Sequence, residues 1–361
     1  MSNLSVKRNL QAFEKKYVKR EIKDTEEIPM VQLDRNENNF GFSPKVPQAI
    51  AENISSSYVY TNVDGEPLRS KLAEFHKVSV ENILIGNGSF ELIGLIAQVF
   101  QNKGKKAIQG VPTFDWYRIA TILNHGEMID IPLENHHYPL EEIARNVTDD
   151  VEIIWLCNPN NPTGTFFTKK DLVEFLEKIP SSKLVVVDEA YIDFVPDEVL
   201  EDNLSLLEKY ENLLFLRTFS KIYGLASLRV GYAIANPSII HSLFQFKIPP
   251  NTNRLSVMAA AASLQDVEHY GIVKEKVASE KRFYEEELTK RGFYFIPSYT
   301  NFLLIDFGKK TDEIVRQFAK EGILLRGGSE FGYDHFIRVT IGKHQENKLF
   351  FEVLDKISLE E

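Results

Sequence analysis

Residues 217–231 read RTFSKIYGLASLRVG and follow directly on the apolar run LLFL of residues 213–216. A short apolar run without alternation is typical of a strand that a parallel sheet buries on both faces. Lys221 comes just past the end of this predicted strand, and Arg229 follows eight residues later. Because ligands of open α/β sheets bind at the carboxyl ends of the strands, the pattern predicts an amine nucleophile beside an anion site. The alternative is a solvated lysine after a core strand.

Three other polar segments also follow apolar runs that predict strands. The segment NPNNPTG (158–164) follows IIWLC (153–157), DEAY (188–191) follows LVVV (184–187), and GNGS (86–89) follows ILI (83–85). From residue 106 to residue 219 such runs alternate with helical patterns, which is the rhythm of βαβ units in a mostly parallel sheet. We therefore expect the four polar segments to converge on one edge of one sheet.

The composition is that of a globular protein, with 43% hydrophobic and 26% charged residues among 361. This length favours one large and one smaller domain. The formal net charge of -10 disfavours a broad nucleic-acid-binding face, and no apolar run approaches the roughly 20 residues of a membrane span. A single cysteine, Cys157, excludes an internal disulfide. Together with a first segment that lacks the apolar core of a secretory signal, it favours the cytoplasm.

Other kinds of site have little support in the sequence. Gly86 and Gly88 could begin a dinucleotide-binding fingerprint, but Glu91 stands where the third glycine is required. The eight histidines show no His-x-x-x-His spacing with a carboxylate, so we expect no metal centre. The chain also lacks a Gly-x-Ser-x-Gly nucleophile elbow.

The four polar segments, in this order, resemble the fold-type I aminotransferases that use pyridoxal 5′-phosphate, and most closely the histidinol-phosphate aminotransferase family. The resemblance extends from about residue 36 to residue 347. It implies an α/β fold: a large domain on a mostly parallel central sheet with helices on both faces, plus a smaller α+β domain. The implied divisions are an N-terminal arm (1–35) that packs with the small domain and the active site, a large cofactor-binding domain (36–255) and a small C-terminal domain (256–361).

The resemblance also implies the catalytic roles. Lys221 would bond covalently to the aldehyde of the cofactor and, once freed, carry a proton between substrate and cofactor. Asp188 would pair with the pyridine nitrogen and keep it protonated. Tyr191 and Asn161 would hydrogen-bond the 3′-oxygen of the ring, while the cofactor itself serves as the electron sink.

The remaining expected contacts are those with the cofactor phosphate, the ring face and the substrate. The phosphate would be held at a helix N-terminus and by neighbouring hydroxyl and guanidinium groups, from Gly88, Ser89, Phe90, Thr218, Ser220 and Arg229. Phe114 would stack on the pyridine ring. Tyr60 would reach the phosphate from the neighbouring subunit of a homodimer with shared active sites. Arg338, Arg326 and Asn161 would bind the substrate, with Arg338 as the anion clamp.

The expected reaction is transamination of L-histidinol phosphate with 2-oxoglutarate, which gives imidazole acetol phosphate and L-glutamate. An aromatic amino-acid aminotransferase is the main alternative, because relatives of this family act on phenylalanine or tyrosine with the same core motifs, and Tyr17 in the N-terminal arm lacks the neighbours common in the family. A threonine-phosphate decarboxylase has nothing specific in its favour. A ligand sensor of a transcription regulator is disfavoured, because fewer than 40 residues precede the Asn36 segment.

Overall fold

The computed structural model describes residues 30–357, so the predicted arm around Tyr17 lies outside the described residues. The strands are β1 (Val31–Gln32), β2 (Ile83–Gly86), β3 (Lys106–Val111), β4 (Glu127–Pro132), β5 (Val151–Cys157), β6 (Leu184–Asp188), β7 (Leu213–Thr218), β8 (Gly231–Ala235), β9 (Tyr294–Ile296), β10 (Phe302–Asp306), β11 (Ile323–Leu324), β12 (Arg326–Gly327) and β13 (Phe336–Thr340). The α-helices are Lys45–Asn53, Leu68–His76, Ser89–Phe100, Trp116–Leu123, Leu140–Arg145, Lys169–Leu176, Pro237–Phe246, Arg254–Leu264, Val267–Lys290, Asp312–Lys320 and His344–Lys356. Among these helices, none is both long and apolar enough to cross a membrane.

The central sheet has seven strands in the order β2-β8-β7-β6-β5-β3-β4. Strands β7, β6, β5, β3 and β4 run parallel to one another. Strand β8 is antiparallel to both of its neighbours, β7 and β2. Strands β2, β5, β6 and β7 therefore point the same way, and the polar segments that follow them meet at one edge. The mostly parallel sheet expected from the apolar runs is confirmed.

Strands β2, β5, β6, β7 and β8 of the central sheet bury both of their faces, which explains their unbroken apolar runs, whereas the edge strand β4 is largely exposed. In β5, Ile154 and Leu156 pack into one hydrophobic core, whereas Ile153, Trp155 and Cys157 pack into the core on the opposite face. Helix Ser89–Phe100 covers the second face, and helix Lys169–Leu176 covers the first. Cys157 is buried among apolar side chains.

A second, antiparallel sheet has the strand order β12-β13-β10-β9 and lies in the C-terminal part of the chain. Helices Val267–Lys290 and His344–Lys356 pack together beside it, and their Tyr284 and Phe350 rings lie 5.4 Å apart. Strand β1 pairs in parallel with β11 of this part. We propose the division 1–35, 36–255 and 256–361, although helix Arg254–Leu264 packs against Lys45–Asn53 of the larger part.

The helical stretch after residue 254 is divided at Asp266. This residue separates helices Arg254–Leu264 and Val267–Lys290 with φ -102° and ψ 65°. The Asp266 carboxylate accepts a hydrogen bond from the Ser43 hydroxyl and lies 3.5 Å from the Lys45 ammonium, so a tertiary contact replaces helix continuity. The connection between β6 and β7 contains a short 3₁₀ helix, Asn203–Glu208.

A buried ion pair anchors the strand that leads to Lys221. Nη2 and Nε of Arg217 in β7 lie 2.7 and 2.9 Å from Oε2 of Glu189, which follows β6 directly. Glu189 is 1% exposed, and its other oxygen accepts a hydrogen bond of 2.9 Å from the Asn203 amide. Removal of one partner from such a pair leaves an uncompensated charge in a site of low polarity.

We expect Arg217→Leu to lower the free energy of unfolding by about 3–5 kcal/mol, because Glu189 would then be buried without its counter-ion. Urea unfolding at pH 7 measures this difference. The control is Arg316→Leu, because Arg316 pairs with Glu313 on the protein surface, where an ion pair contributes about 0–1 kcal/mol. Equal, small effects of both substitutions would contradict the buried-pair interpretation.

Candidate active site

A cleft of about 1270 Å³ opens at the carboxyl ends of β5, β6 and β7 and reaches the second sheet. Most of the predicted site residues line it, namely Ser89, Phe90, Phe114, Asn161, Asp188, Tyr191, Thr218, Ser220, Lys221, Arg229, Arg326 and Arg338. Gly88 lies directly behind the Arg229 guanidinium. Tyr60 does not line the cleft and is 86% exposed on a surface loop.

The Lys221 amine points toward the segment that connects β1 to the first helix. Its Nζ donates hydrogen bonds to the carbonyl oxygens of Arg35 (3.0 Å) and Asn36 (3.1 Å). Desolvation of the amine, followed by the nearby positive charge of Arg338, lowers the pKa of Lys221 to about 7. A lysine with this pKa is neutral in a large fraction of molecules near neutral pH, which a nucleophilic amine requires.

Asp188 ends β6 and is a buried carboxylate, with 3% of its surface exposed. The Tyr117 hydroxyl donates a hydrogen bond of 2.8 Å to Oδ2, and the Ala190 N–H donates one of 3.1 Å to Oδ1. Desolvation raises the pKa of Asp188 to about 6, although the hydrogen bond from Tyr117 acts in the opposite direction. A cation placed beside this carboxylate would favour its ionised form.

Tyr191 and Arg338 are joined through Asn161 and the segment that precedes the first helix. The Tyr191 hydroxyl accepts hydrogen bonds from the amides of Asn36 (3.0 Å) and Asn161 (3.5 Å). Nη1 of Arg338 donates to Oδ1 of Asn161 at 2.6 Å, and Nη2 donates to the Asp34 carbonyl at 2.8 Å. Burial raises the pKa of Tyr191 to about 12, so its hydroxyl keeps its proton and can donate it in a hydrogen bond to a ligand oxygen.

Helix Ser89–Phe100 begins at the cleft and offers the N–H groups of its first turn to an anion. Gly88 precedes it with φ +82°, and a Cβ atom there would lie 2.3 Å from Nη2 of Arg229. Arg229 also donates to the Ala226 carbonyl at 2.9 Å and approaches the Ser220 hydroxyl at 3.4 Å. Glycine at position 88 thus lets a guanidinium group and a helix N-terminus share one small space, which is a suitable site for a phosphate.

The wall of the cleft beside Asp188 is aromatic. The Phe114 ring meets the edge of Phe90 at 5.0 Å and that of Tyr117 at 5.5 Å between ring centres. Phe114 is half-buried and lines the cleft. A planar ring bound above Asp188 would have an aromatic face to stack on.

Arg326 and Arg338 face each other across the pair of strands β12 and β13, where they are register partners. Both line the cleft. Like charges at directly opposite positions destabilise a sheet, so this arrangement requires negative charge nearby. Glu330 supplies some of it, since its carboxylate forms an ion pair with Nη2 of Arg326.

Three residues at or directly behind the cleft were not identified individually from the sequence: Tyr117, Asn36 and Glu330. Tyr117 lies three residues after Phe114 in a helix, where a buried tyrosine is usually a core residue, and no local signal marks its contact with Asp188. Asn36 was noted only as part of a turn-like segment, and its φ of 56° is indeed a turn conformation. Glu330 follows Arg326 by four residues, a spacing at which opposite charges often pair, and this signal could have found it.

Comparisons with known proteins agree with this geometry. The sequence model of the family described as Aminotransferase class I and II matches residues 28–354. The chain is 37% identical over 340 residues to a histidinol-phosphate aminotransferase of Brevibacillus brevis, with 94% of this chain and 93% of that protein covered. It is 38% identical over 328 residues to a histidinol-phosphate aminotransferase of Caldicellulosiruptor saccharolyticus, with 91% and 92% covered. The crystal structure of histidinol-phosphate aminotransferase from Sinorhizobium meliloti in complex with pyridoxal-5′-phosphate superposes with a TM-score of 0.85 at 26% identity, with 91% of this chain and 92% of that chain covered.

Proposed function

Because the chain belongs to the class I and II aminotransferases and has their fold-type I architecture, we propose that it transfers the amino group of L-histidinol phosphate to 2-oxoglutarate. The products are imidazole acetol phosphate and L-glutamate, and pyridoxal 5′-phosphate is the cofactor. The observation that carries the choice of substrate is the pair Arg326 and Arg338, which face each other at the cleft. The similarity to histidinol-phosphate aminotransferases of other organisms adds support.

The donor set of the cleft fits this cofactor. Gly88 lets the Arg229 guanidinium lie against the helix N-terminus, so that both could hold a phosphate, Phe114 provides a face for the ring, and Asp188 lies buried where a ring nitrogen can meet it. When bound, the cofactor supplies an aldehyde that bonds to amines and a ring that takes up electrons. Lys221, with its lowered pKa, is the amine of the cleft suited to that bond.

Each remaining side chain orients a group or moves a proton. With the cofactor bound, Lys221 would carry a proton to and from the α-carbon of the substrate. Asp188 would pair with the ring nitrogen and favour its protonated form in a site of low polarity. Tyr191 and Asn161 would hydrogen-bond an oxygen of the ring.

The two arginines account for two substrates in one cleft. A guanidinium group binds phosphate and carboxylate oxygens through paired, charge-assisted hydrogen bonds. Arg338 is fixed by Asn161 and the Asp34 carbonyl, which suits a clamp of constant position. Arg326 is partly exposed, with 26% of its side chain accessible, and would meet the more distant anion. The phosphate of histidinol phosphate and the carboxylates of glutamate can therefore use the same pair.

The substrate choice is tested by single half-reactions. L-Histidinol phosphate, and separately L-phenylalanine, is added to the cofactor-loaded protein without an oxo acid, and the visible absorbance of the bound cofactor is followed. Loss of the absorbance at micromolar histidinol phosphate, with phenylalanine far less effective, is the expected result. A preference for phenylalanine would leave the aminotransferase assignment intact but make the protein an aromatic amino-acid aminotransferase.

The hydrogen bond from Tyr117 to Asp188 leads to a prediction on pH dependence. Removal of this donor in Tyr117→Phe should raise the pKa of Asp188 further above about 6, because a hydrogen bond that stabilises the carboxylate is lost. The ionised carboxylate is the form that pairs with a protonated ring nitrogen. As the pH falls, the variant should therefore lose cofactor affinity at a pH about one unit higher than the wild type does.

Equilibrium titration of the protein with pyridoxal 5′-phosphate between pH 5 and pH 8 measures this shift. Tyr223→Phe is the matched control, because Tyr223 is also a buried tyrosine that packs on an aromatic ring, Phe219, but it is not one of the hydrogen-bond donors to Asp188, which are Tyr117 and the Ala190 N–H. If both variants lose affinity for the cofactor at the same pH as the wild type, Tyr117 has no influence on the pKa of Asp188.

We also propose a homodimer in which Tyr60 of each subunit reaches the cofactor phosphate of the other. Within residues 30–357, the large apolar side chains with the highest exposed fractions are Tyr58 (90%), Tyr60 (86%) and Ile248 (78%). The Tyr60 loop lies beside helix Arg254–Leu264, since Nη2 of Arg254 donates to the Tyr60 carbonyl at 3.5 Å. Exposed apolar side chains of this size are typical of subunit interfaces. Light scattering of the purified protein gives the mass that decides between monomer and dimer.

We place this function in the cytoplasm. The single cysteine, Cys157, is buried in the sheet and forms no disulfide, which agrees with a reducing compartment. Fractionation of cells that express the full chain tests this location.

A further inference from the structure

The turn between β12 and β13 holds a carboxylate against the proposed anion site. This turn, the 3₁₀ helix Gly328–Phe331, contains Glu330, whose carboxylate forms an ion pair with Nη2 of Arg326. Glu330 lines the cleft together with Arg326 and Arg338. The negative charge therefore lies where a substrate anion would have to bind.

The turn that carries Glu330 is firmly held. The Ser329 hydroxyl donates a hydrogen bond of 2.8 Å to the Asp312 carboxylate, and the Tyr333 N–H donates one of 2.9 Å to the Gly328 carbonyl. A Cβ atom at Gly328 would lie 1.9 Å from the Tyr333 carbonyl oxygen, so only glycine allows this close packing. A carboxylate on such a turn stays at high effective concentration beside Arg326.

The two arginines differ in the acceptors that they use. Arg338 donates to two neutral oxygens, those of the Asn161 amide and the Asp34 carbonyl. Arg326 instead donates to the charged carboxylate of Glu330. An anion that binds Arg326 in full, through two hydrogen bonds, must take the place of Glu330 or share the guanidinium with it.

From these contacts we propose that Glu330 is an affinity-determining residue of the substrate site, a tethered carboxylate that competes with the substrate anion for Arg326. This proposal rests on the proposed role of Arg326 and Arg338 as the anion site. Glu330 lowers the affinity for substrate and product anions alike. Weaker uniform binding keeps KM high without a loss in the chemical step, and it eases the release of a charged product.

Inorganic phosphate is the probe for this competition. Calorimetry measures its dissociation constant with protein already loaded with pyridoxal 5′-phosphate, so that the cofactor-phosphate site is occupied. We expect Glu330→Gln to bind phosphate about two- to fivefold more tightly than the wild type, which is the scale of a partly exposed ion pair. Unchanged or weaker phosphate binding in Glu330→Gln would overturn the proposal, because removal of a competing carboxylate must increase the affinity for phosphate.

Two further variants separate competition from a general change in charge. Glu313→Gln removes the same charge from an exposed pair with Arg316 in the same part of the chain, and it should leave the dissociation constant unchanged. In an Arg326→Gln background, Glu330→Gln should have no further effect, because the contested guanidinium is absent. The proposal would be refuted if Glu313→Gln increased the phosphate affinity as much as Glu330→Gln does, or if Glu330→Gln increased it equally without Arg326. Either result would show that only the net charge matters.

The outcome is independent of the substrate assignment. If L-histidinol phosphate fails as a substrate but Glu330→Gln still tightens phosphate binding only when Arg326 is present, the proposed function falls and the competition stands. If histidinol phosphate is turned over and Glu330→Gln has wild-type phosphate affinity, the proposed function stands and the competition is refuted.

Discussion

Lys221→Ala should still bind pyridoxal 5′-phosphate through the phosphate site but lose turnover by at least about 10²–10⁴-fold, the contribution of a positioned proton carrier alone. The loss of the covalent anchor adds to this effect, because the cofactor then lacks its bond to the protein. The wild-type amine is suited to both tasks, since desolvation and Arg338 lower its pKa to about 7. Steady-state rates with L-histidinol phosphate and 2-oxoglutarate, together with the absorbance of bound cofactor, measure the two losses separately.

Lys281→Ala is the matched control for Lys221→Ala. Both amines donate hydrogen bonds to two main-chain carbonyls, those of Ser298 and Thr300 in the case of Lys281. Burial also lowers the pKa of Lys281, to about 8, but this residue does not line the cleft. Near-normal transamination by Lys221→Ala would refute the assignment, whatever the stability of either variant.

Asp188→Asn should keep the fold and reduce turnover by about 10²-fold or more, the scale on which removal of a preorganised electrostatic partner slows a reaction. An amide carries no charge and cannot hold a proton on the ring nitrogen by an ion pair. The environment of Asp188 makes this loss large, because the carboxylate is 3% exposed and water cannot replace it. The rate of the half-reaction with L-histidinol phosphate alone measures the effect on the chemical step.

Asp193→Asn serves as the control for Asp188→Asn. Asp193 is a partly buried carboxylate whose pKa is also raised to about 6 by desolvation, and it accepts a hydrogen bond from the Tyr270 hydroxyl at 3.3 Å. It does not line the cleft, so its substitution should change stability more than rate. A wild-type half-reaction in Asp188→Asn would mean that the strand ends do not converge on the cofactor as proposed.

Some features of the site could be predicted from short stretches of sequence because their causes are local. The apolar run before Lys221 indicates a buried strand, and the polar residues after it indicate the strand end. The helix at Ser89 was predictable from a glycine and a hydroxyl residue before an apolar pattern. In contrast, the hydrogen bond from Ser43 to Asp266 joins residues more than 200 positions apart, and no local pattern signals that contact.

The sequence by itself determined the order of buried strands and the polar segments at their ends. Both follow from local hydrophobicity and from the order of residues along the chain. Only the tertiary structure decided which side chains meet. It lowers the pKa of Lys221 by desolvation and by Arg338, a residue 117 positions later in the chain. It also joins Tyr117 to Asp188, and it sets Arg326 opposite Arg338 with Glu330 beside them. Desolvation and Coulomb interactions depend on distance in space and not on separation along the chain, so these properties arise only when the chain has folded.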